Sequence, residues 1–222
     1  AAKEIADKHG RSLTFMAKYA MDEVGSSCHI HSSLWDLKGK KSQMWDAKKP
    51  DNMSDTFRWY LGGLIATARE FSLLFAPTVN SYKRFQPDSW APTAVAWGLD
   101  NRTCGLRLVG HGQGYRVESR IPGADVNSYL AFAGVIAAGL WGIEHQLDPG
   151  EPFVGNAYTD PDVAHIPSTL VESIDLFRGS EVARWAFGDE VHHHILNTAE
   201  QEWASFNRAV TDWELRRNFE QF

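Results

Sequence analysis

Residues 104–121 read CGLRLVGHGQGYRVESRI, and this stretch decides the fold class. Two runs that favour β-strands, Cys104–Val109 and 115–121, flank the glycine-bearing segment 110–114, whose composition is typical of a turn between neighbouring strands. The same criteria predict further strands at residues 13–19, 28–35 and 93–99, and a loop at 80–92.

Helix signals lie on both sides of this central group of strands. They predict a helix that ends at Gly10, a helix capped by Ser54 that runs towards Phe75 and stops at Pro77, a helix opened by Asp125 or Asn127 that runs through Ile143, and helices after Ser168. Strands that do not alternate with helices, and the lack of a GxGxxG motif after a strand, disfavour a doubly wound sheet. The predicted class is α+β, with an antiparallel sheet flanked by helices.

Composition excludes several kinds of protein. The 222 residues are 43% hydrophobic and 23% charged, a composition that predicts a packed globular protein. The formal charge of −6 argues against a general nucleic-acid binder and against an anionic-membrane binder. The two cysteines, Cys28 and Cys104, do not predict a disulfide scaffold and fit the reducing cytoplasm. The uncharged run 129–143 is shorter than the roughly 20 residues that a bilayer requires, and predicts a buried helix.

Two histidines in the predicted strand 28–35 point to the same side. His29 and His31 are two residues apart, and Ser33 continues their row. Two imidazoles on one face of a strand can bind a metal or contact a phosphate, whereas the simpler interpretation is a polar sheet face.

A second row of charged side chains alternates along the predicted strand 115–121. Arg116, Glu118 and Arg120 share one face, and the positive neighbours favour an ionised carboxylate suited to Mg²⁺ or Mn²⁺. The alternative is a ladder of surface salt bridges, which contributes little to stability. An anion pocket is favoured because more arginines crowd the same third of this acidic chain. These arginines are Arg84, Arg102 and Arg107.

The triplet of histidines at 192–194 does not predict a metal site. Consecutive residues of a helix point about 100° apart, so the three side chains cannot converge on one ion. We interpret the triplet as a solvated helix face.

Taken together, these segments resemble the C-terminal half of the catalytic domain of the glutamine synthetase family. Order and spacing agree across nearly the whole chain, residues 1–222, and the family's proteins are about twice as long. The matching stretches are GSSCHIHSSLW (25–35), PTVNSYKRFQPDSWAP (77–92), NRTCGLRL (101–108), RVESRIPGADVNSYL (116–130) and VTDWEL (210–215).

The resemblance implies an ATP-dependent ligase that phosphorylates the γ-carboxylate of glutamate and lets a nitrogen nucleophile displace the phosphate. By motif position, a divalent cation, Mg²⁺ or Mn²⁺, would be held by His29 and Glu118. The nucleotide would be contacted by His31 and Ser33, and its phosphates by Arg107 and Arg116. Glutamate would be bound by Arg84, Arg120 and the backbone at Gly25, and Arg102 would neutralise the phosphoryl group during transfer.

The chain departs from the family pattern at three positions. Where glutamine synthetases have a Glu that binds ammonium and takes its proton, this chain has Trp90, which cannot accept a proton but offers an apolar face that attracts cations. We therefore expect an amine larger than ammonia, as in the γ-glutamylamide and γ-glutamylpolyamine synthetase branch. Val24 stands where the family has an Asn that contacts glutamate, and Gln113 aligns with a Lys that contacts ATP.

The family's other metal-binding glutamates and its small N-terminal β domain match nothing in residues 1–222. The resemblance therefore implies that the full-length protein is the enzyme, assembled as homo-oligomeric rings, and that this chain alone is inactive. Two alternatives stay open at this point: a glutamine synthetase that uses ammonia, and a non-catalytic relative in which Trp90 plugs the ammonia site. Retention of His29, Glu118, Arg102 and Arg120 argues against the latter.

Overall fold

A computed structural model describes residues 1–86 and 89–221. The strands are β1 (Ile30–Ser32), β2 (Ala94–Leu99), β3 (Cys104–Val109) and β4 (Arg116–Ser119). The helices are α1 (Ala2–Lys8), α2 (Asp55–Thr67), α3 (Ser72–Phe75), α4 (Val79–Lys83), α5 (Ser128–Glu144), α6 (Leu170–Gly179), α7 (Glu181–Asn207) and α8 (Asp212–Asn218). The α+β class is confirmed. Within the described residues, no helix combines the length and hydrophobicity needed to cross a membrane.

The four strands form one sheet in the order β1-β4-β3-β2. The pairs β1–β4 and β4–β3 are antiparallel, as predicted, but β2 pairs with β3 in parallel. In the connection between β2 and β3, the Asn101 Nδ2 donates to the carbonyl oxygens of Phe153 (3.4 Å) and Gly155 (3.0 Å). The sheet is therefore mixed, which corrects the expectation of a wholly antiparallel sheet.

The two faces of the sheet differ in chemistry because side chains alternate along each strand. Ile30, Leu106, Leu108 and Val117 are buried in the main hydrophobic core, which also contains Phe57 and Tyr60 of α2 and Val135 and Ala138 of α5. The charged residues of β3 and β4 lie on the opposite face. The hydrophobic core thus supports one face of the sheet and leaves the other for polar side chains.

Helices α2 and α5 approach each other at two glycines. A Cβ added to Gly63 would lie 2.0 Å from the carbonyl oxygen of Ala138, and one added to Gly142 would lie 2.1 Å from that of Trp59. Both atoms that would clash belong to the backbone, so no side-chain rotation relieves the contact. These helices can pack this closely because glycine has no side chain at the two contact positions.

Predicted helix starts agree well with the structure. The Ser54 Oγ accepts from the Phe57 amide (3.0 Å) at the start of α2, and the Asn127 Oδ1 accepts from the Tyr129 amide (3.1 Å) at the start of α5. Helix α1 ends before Gly10, which has φ +62°. Ser54 is the cap that local signals predict, and of the two predicted residues Asp125 and Asn127 the structure selects Asn127.

The predicted continuous helix 54–75 is wrong beyond Thr67. The chain turns there and begins again as α3, in which all four residues, including Leu73, Leu74 and Phe75, are buried. One face of a straight helix cannot bury four consecutive residues. The turn reorients this segment so that the core encloses it.

Three strand or loop predictions also need correction. Residues 13–19 form no strand, and only Ile30–Ser32 of the predicted strand 28–35 is a strand. The predicted loop 80–92 begins instead within α4, because Thr78 and Ser81 form a reciprocal capping box. Residues 87 and 88 of that loop lie outside the described residues.

The histidine triplet on α7 divides between core and surface. His193 and His194 are exposed, whereas His192 is buried, with its Nε2 2.9 Å from the Phe177 carbonyl oxygen and its ring stacked on the Phe177 ring. The interpretation as a solvated face is therefore wrong for His192. It holds for the other two because neighbouring side chains on a helix point in different directions.

We expect the substitution Gly142→Ala to lower the free energy of unfolding by about 2 kcal/mol or more, since the added methyl group clashes with backbone of α2. Urea unfolding followed by circular dichroism measures the change. The matched control is Gly179→Ala at the end of α6, where a Cβ meets no atom within 4 Å. Equal stability of both variants would contradict the close helix contact.

Candidate active site

Glu118 is the centre of the polar face of the sheet. The strand register places Glu118 opposite His31 of β1 on one side and opposite Arg107 of β3 on the other. Arg116 and Arg120 share its face because they are two residues away along the chain. The separate rows of histidines and arginines predicted from the sequence thus meet at one carboxylate.

Three side chains contact the Glu118 carboxylate directly. Arg107 donates to Oε2 (2.8 Å), Arg120 donates to Oε1 (3.2 Å), and the His29 Nδ1 lies 3.0 Å from Oε1. Burial acts to raise the pKa of Glu118, but the Arg107 hydrogen bond and the charges of Arg120 and Arg107 outweigh it and lower the pKa. Glu118 is therefore a buried carboxylate that remains ionised, as predicted from the sequence.

His29 is held in its neutral form. Burial and the charge of Arg120 lower its pKa, against the opposing influence of Glu118. A neutral imidazole that donates from Nδ1 to Glu118 keeps the lone pair of Nε2, and that atom is buried with no hydrogen-bond partner among the described residues. His29 therefore offers an unused nitrogen ligand beside an ionised carboxylate.

His31 and Ser33 lie at the more open side of the cluster. Arg116 donates from Nε to the His31 Nδ1 (3.1 Å), and the His31 Nε2 is 3.7 Å from Glu118 Oε1. The Ser33 Oγ accepts from the Trp35 indole at 3.0 Å. The structure therefore joins His31 and Arg116 as a pair, while Ser33 lies next to Trp35 on the same side of the chain.

Asp100 is a member of the site that sequence reasoning missed. Arg107 donates from Nε to Asp100 Oδ1 (2.9 Å) and makes a second contact to the same oxygen through a terminal nitrogen. Asp100 lies just after β2, at φ +51°. No sequence pattern marks this residue, because only the parallel pairing of β2 with β3 brings it to Arg107.

Arg84 and Gly25 lie together, as the resemblance implied, but Arg84 is enclosed. A Cβ added to Gly25 would lie 2.7 Å from the Arg84 Cγ. The Arg84 side chain donates to Ser27 Oγ (3.3 Å) and to the Ile121 carbonyl oxygen, and the residue is 2% exposed. Burial lowers the pKa of Arg84 to about 10, which still leaves the guanidinium charged at neutral pH.

Trp90 lies at the edge of the Glu118 cluster. Its carbonyl oxygen accepts from Arg120 at 3.5 Å, and its backbone has φ +60°, a conformation that costs a bulky residue energy. The residue is 63% exposed. The backbone of Trp90 thus contacts Arg120, while its side chain is exposed at the surface.

Arg102 and Gln113 are separate from this cluster. Arg102 is exposed and lines a surface cleft with Phe153 and Gly155, and no hydrogen bond joins it to the cluster in the described part of the chain. Gln113 uses its Oε1 to accept from the Ser42 amide (2.7 Å) and so anchors a neighbouring loop. The structure does not bring these two residues to Glu118.

The donor set fits a divalent cation only in part. An ionised carboxylate has about four lone-pair sites, so Glu118 keeps capacity beyond its three contacts, and the His29 Nε2 is unused. However, no group of three or more His, Cys, Asp or Glu residues able to hold a metal occurs in residues 1–86 and 89–221. The described residues therefore offer two side chains with free donor atoms, and no third His, Cys, Asp or Glu side chain completes a coordination shell with them.

The chain is similar to known proteins over almost its whole length. The family model of the glutamine synthetase catalytic domain matches residues 1–218. A γ-glutamylethanolamide synthetase of Streptomyces coelicolor is 58% identical over 99% of the chain, and a glutamate–isopropylamine ligase of a Pseudomonas species is 43% identical over 97%. A glutamine synthetase of Methanosarcina mazei is 37% identical over 97% of the chain.

The chain belongs to the glutamine synthetase family of ligases. It spans about half the length of these relatives, 46%, 47% and 49% in the order given. The ligand-free structure of GmaS superimposes with a TM-score of 0.88 at 31% identity, covering 98% of this chain and 50% of that one. The fold implied by the sequence motifs is therefore confirmed.

We expect Glu118→Gln to lower the free energy of unfolding by about 3 kcal/mol, because Arg107 and Arg120 lose the charge that compensates them inside the protein. The matched control is Glu200→Gln, which breaks a 2.8 Å ion pair with Arg178 at a residue whose side chain is 45% exposed. That change should cost less than about 1 kcal/mol. Urea unfolding of both variants checks this, and similar small losses would mean that the Glu118 pairs are no stronger than surface pairs.

Proposed function

We propose that the full-length protein is an ATP-dependent ligase that transfers the γ-glutamyl group of glutamate to an amine. The observation that carries the proposal is the ionised, buried Glu118, with Arg107, Arg120 and neutral His29 on its two oxygens. Transfer of a phosphoryl group depends mainly on positioned positive charge, and arginines and a divalent cation supply it. The His29 Nε2, buried beside Glu118 with no hydrogen-bond partner among the described residues, is a ligand atom that a role limited to the fold does not require, and it argues against a non-catalytic relative.

The reaction would proceed in two balanced steps. A γ-carboxylate oxygen of glutamate attacks the γ-phosphorus of ATP, and the bond to ADP breaks to give γ-glutamyl phosphate. The amine nitrogen then attacks the acyl carbon, phosphate leaves, and the nitrogen loses a proton. The amide, phosphate and ADP are the products.

Each residue of the cluster has a proposed role. His29 and Glu118 would hold a divalent cation, Mg²⁺ or Mn²⁺, that neutralises phosphate charge. Arg107 and Arg116 would contact the ATP phosphates, with His31 and Ser33 on the nucleotide. Arg120 and Arg84 would bind glutamate beside Gly25, and Arg102, in its separate cleft, would have to move towards the phosphoryl group.

The nucleophile we favour is a small amine. The backbone carbonyl oxygen of Trp90 accepts from Arg120, and its exposed indole offers an apolar face that attracts cations such as an alkylammonium group. The names of the two amine-ligase relatives support this choice. Ammonia is the second candidate, supported by the relatives named as glutamine synthetases, including the one from Methanosarcina mazei.

The chain would act as the C-terminal part of a longer catalytic domain. The incomplete metal shell in the described residues supports this, because a site with two protein ligands binds a hard cation weakly. We propose that upstream residues complete the site, that the full-length protein assembles as homo-oligomeric rings in the cytoplasm, and that the chain alone is inactive. Neither a nucleic acid nor a membrane is among the proposed partners.

The proposal is tested by ADP release from the full-length protein with glutamate, ATP and Mg²⁺. Ammonium is compared with ethanolamine, putrescine and isopropylamine at matched concentrations. We expect faster turnover with one of the amines, and none in the variant Glu118→Ala. Preference for ammonium would support the second candidate, and no turnover with any nucleophile in folded protein would refute ligase activity.

The substitution Trp90→Glu tests the proposed role of the indole. It restores a proton acceptor and removes the apolar face, so we expect the ratio of kcat/KM for ammonium to kcat/KM for the best amine to rise at least about tenfold, roughly 1.4 kcal/mol. The control is Trp213→Glu, since Trp213 is similarly exposed (64%, against 63% for Trp90) and lies on α8. An unchanged ratio in the Trp90 variant would remove Trp90 from the amine site.

A further inference from the structure

Asp125, in the connection between β4 and α5, holds the start of the helix that leads to Arg84. Its Oδ2 accepts from the hydroxyls of Thr78 (3.0 Å) and Ser81 (2.6 Å). These hydroxyls also form the capping box of α4, in which each accepts from the backbone amide of the other residue. Arg84 is the residue that ends α4, so one carboxylate fixes the helix on which Arg84 depends.

The second oxygen of Asp125 faces the Arg84 guanidinium. Asp125 Oδ1 and Arg84 Nε are both buried without a hydrogen-bond partner among the described residues. A Cβ added to Gly123 would lie 2.5 Å from Asp125 Oδ1 and 3.7 Å from Arg84 Nε, so both atoms border the same small space. Two buried groups of opposite charge therefore border one small space, which a side chain at position 123 would enter.

The charge of Asp125 also acts on Arg84 at a distance. Burial lowers the pKa of Arg84, and Asp125 is the strongest of the charged groups that act in the opposite direction, ahead of Tyr158. Arg120 also lowers the pKa of Arg84, because it is a second positive charge nearby. Asp125 therefore offsets part of the cost of holding a charged guanidinium inside the protein.

We propose that Asp125 is a positioning residue for glutamate binding, which acts by fixing α4 and orienting Arg84 through the space beside Gly123. This inference rests on the proposed function, since it takes Arg84 as a glutamate-binding residue. Asp125 itself contacts no substrate. It sets the direction of the guanidinium, and its loss should weaken glutamate binding more than nucleotide binding or turnover.

Two variants of the full-length protein separate the two contributions of Asp125. Asp125→Asn keeps an oxygen that can accept from Thr78 and Ser81 but removes the charge that faces Arg84. Ser81→Ala keeps the charge and removes the 2.6 Å contact to the helix cap. The matched control is Asp189→Asn, because Asp189 has an 88% exposed side chain and only a 3.4 Å surface contact to Arg184.

Steady-state ADP release and calorimetric binding of L-glutamate are measured for all four proteins. For Asp125→Asn we expect the KM and Kd for glutamate to rise about tenfold, with kcat and the KM for ATP within about twofold of the parent protein. Ser81→Ala should show a smaller rise in the same two glutamate constants, and Asp189→Asn none. Because Ser81→Ala makes the smaller change, it tests the inference even if Asp125→Asn does not fold.

Unchanged glutamate constants in both variants would overturn the inference and leave the proposed function intact. Equal losses in glutamate binding, ATP binding and kcat would also overturn it, because they would indicate a general structural role. If the parent protein neither binds glutamate nor releases ADP, the proposed function fails and this inference fails with it. Glutamate binding without ADP release would refute the ligase reaction alone, and the calorimetric comparison would still decide the role of Asp125.

Discussion

The structure depends on one buried negative charge in the middle of a small sheet. Glu118 is 4% exposed and remains ionised only because Arg107, Arg120 and His29 surround its two oxygens. Each of these partners comes from a different strand or from a strand's flank, so the charge requires the register of β1, β4 and β3 to be correct. A shift of one residue in either pairing would turn the charged side chains towards the hydrophobic core and leave them without partners.

This constraint explains the division of the sheet into two faces. Val117 and Leu108 close one face against α2 and α5, while Glu118 and Arg107, their neighbours along the same strands, face the other way. The glycine contact between α2 and α5 brings the supporting helices close together, and the hydrophobic core thereby holds the strands that position the charges. Stability and chemistry are thus carried by alternate residues of the same short strands.

The arginines of the family motifs fall into different environments. Arg107 is neutralised on two sides, by Glu118 and Asp100, whereas Arg84 lies in a separate buried setting with Asp125. Arg102 is exposed and lines a cleft that also includes Asp100, the partner of Arg107. The buried arginines lie where an acidic or carbonyl oxygen compensates their charge, whereas Arg102 remains at the surface.

The sequence alone determined the features that depend on near neighbours in the chain. The helix cap at Ser54, strand β3, and the shared face of Arg116, Glu118 and Arg120 all follow from local hydrogen bonding or from the two-residue repeat of a strand. Only the tertiary structure decided the break after Thr67, the burial of His192, the parallel pairing of β2 and the recruitment of Asp100 to Arg107. These depend on which segments meet in three dimensions, since a buried surface or an ion pair between distant residues leaves no periodic signal in the sequence.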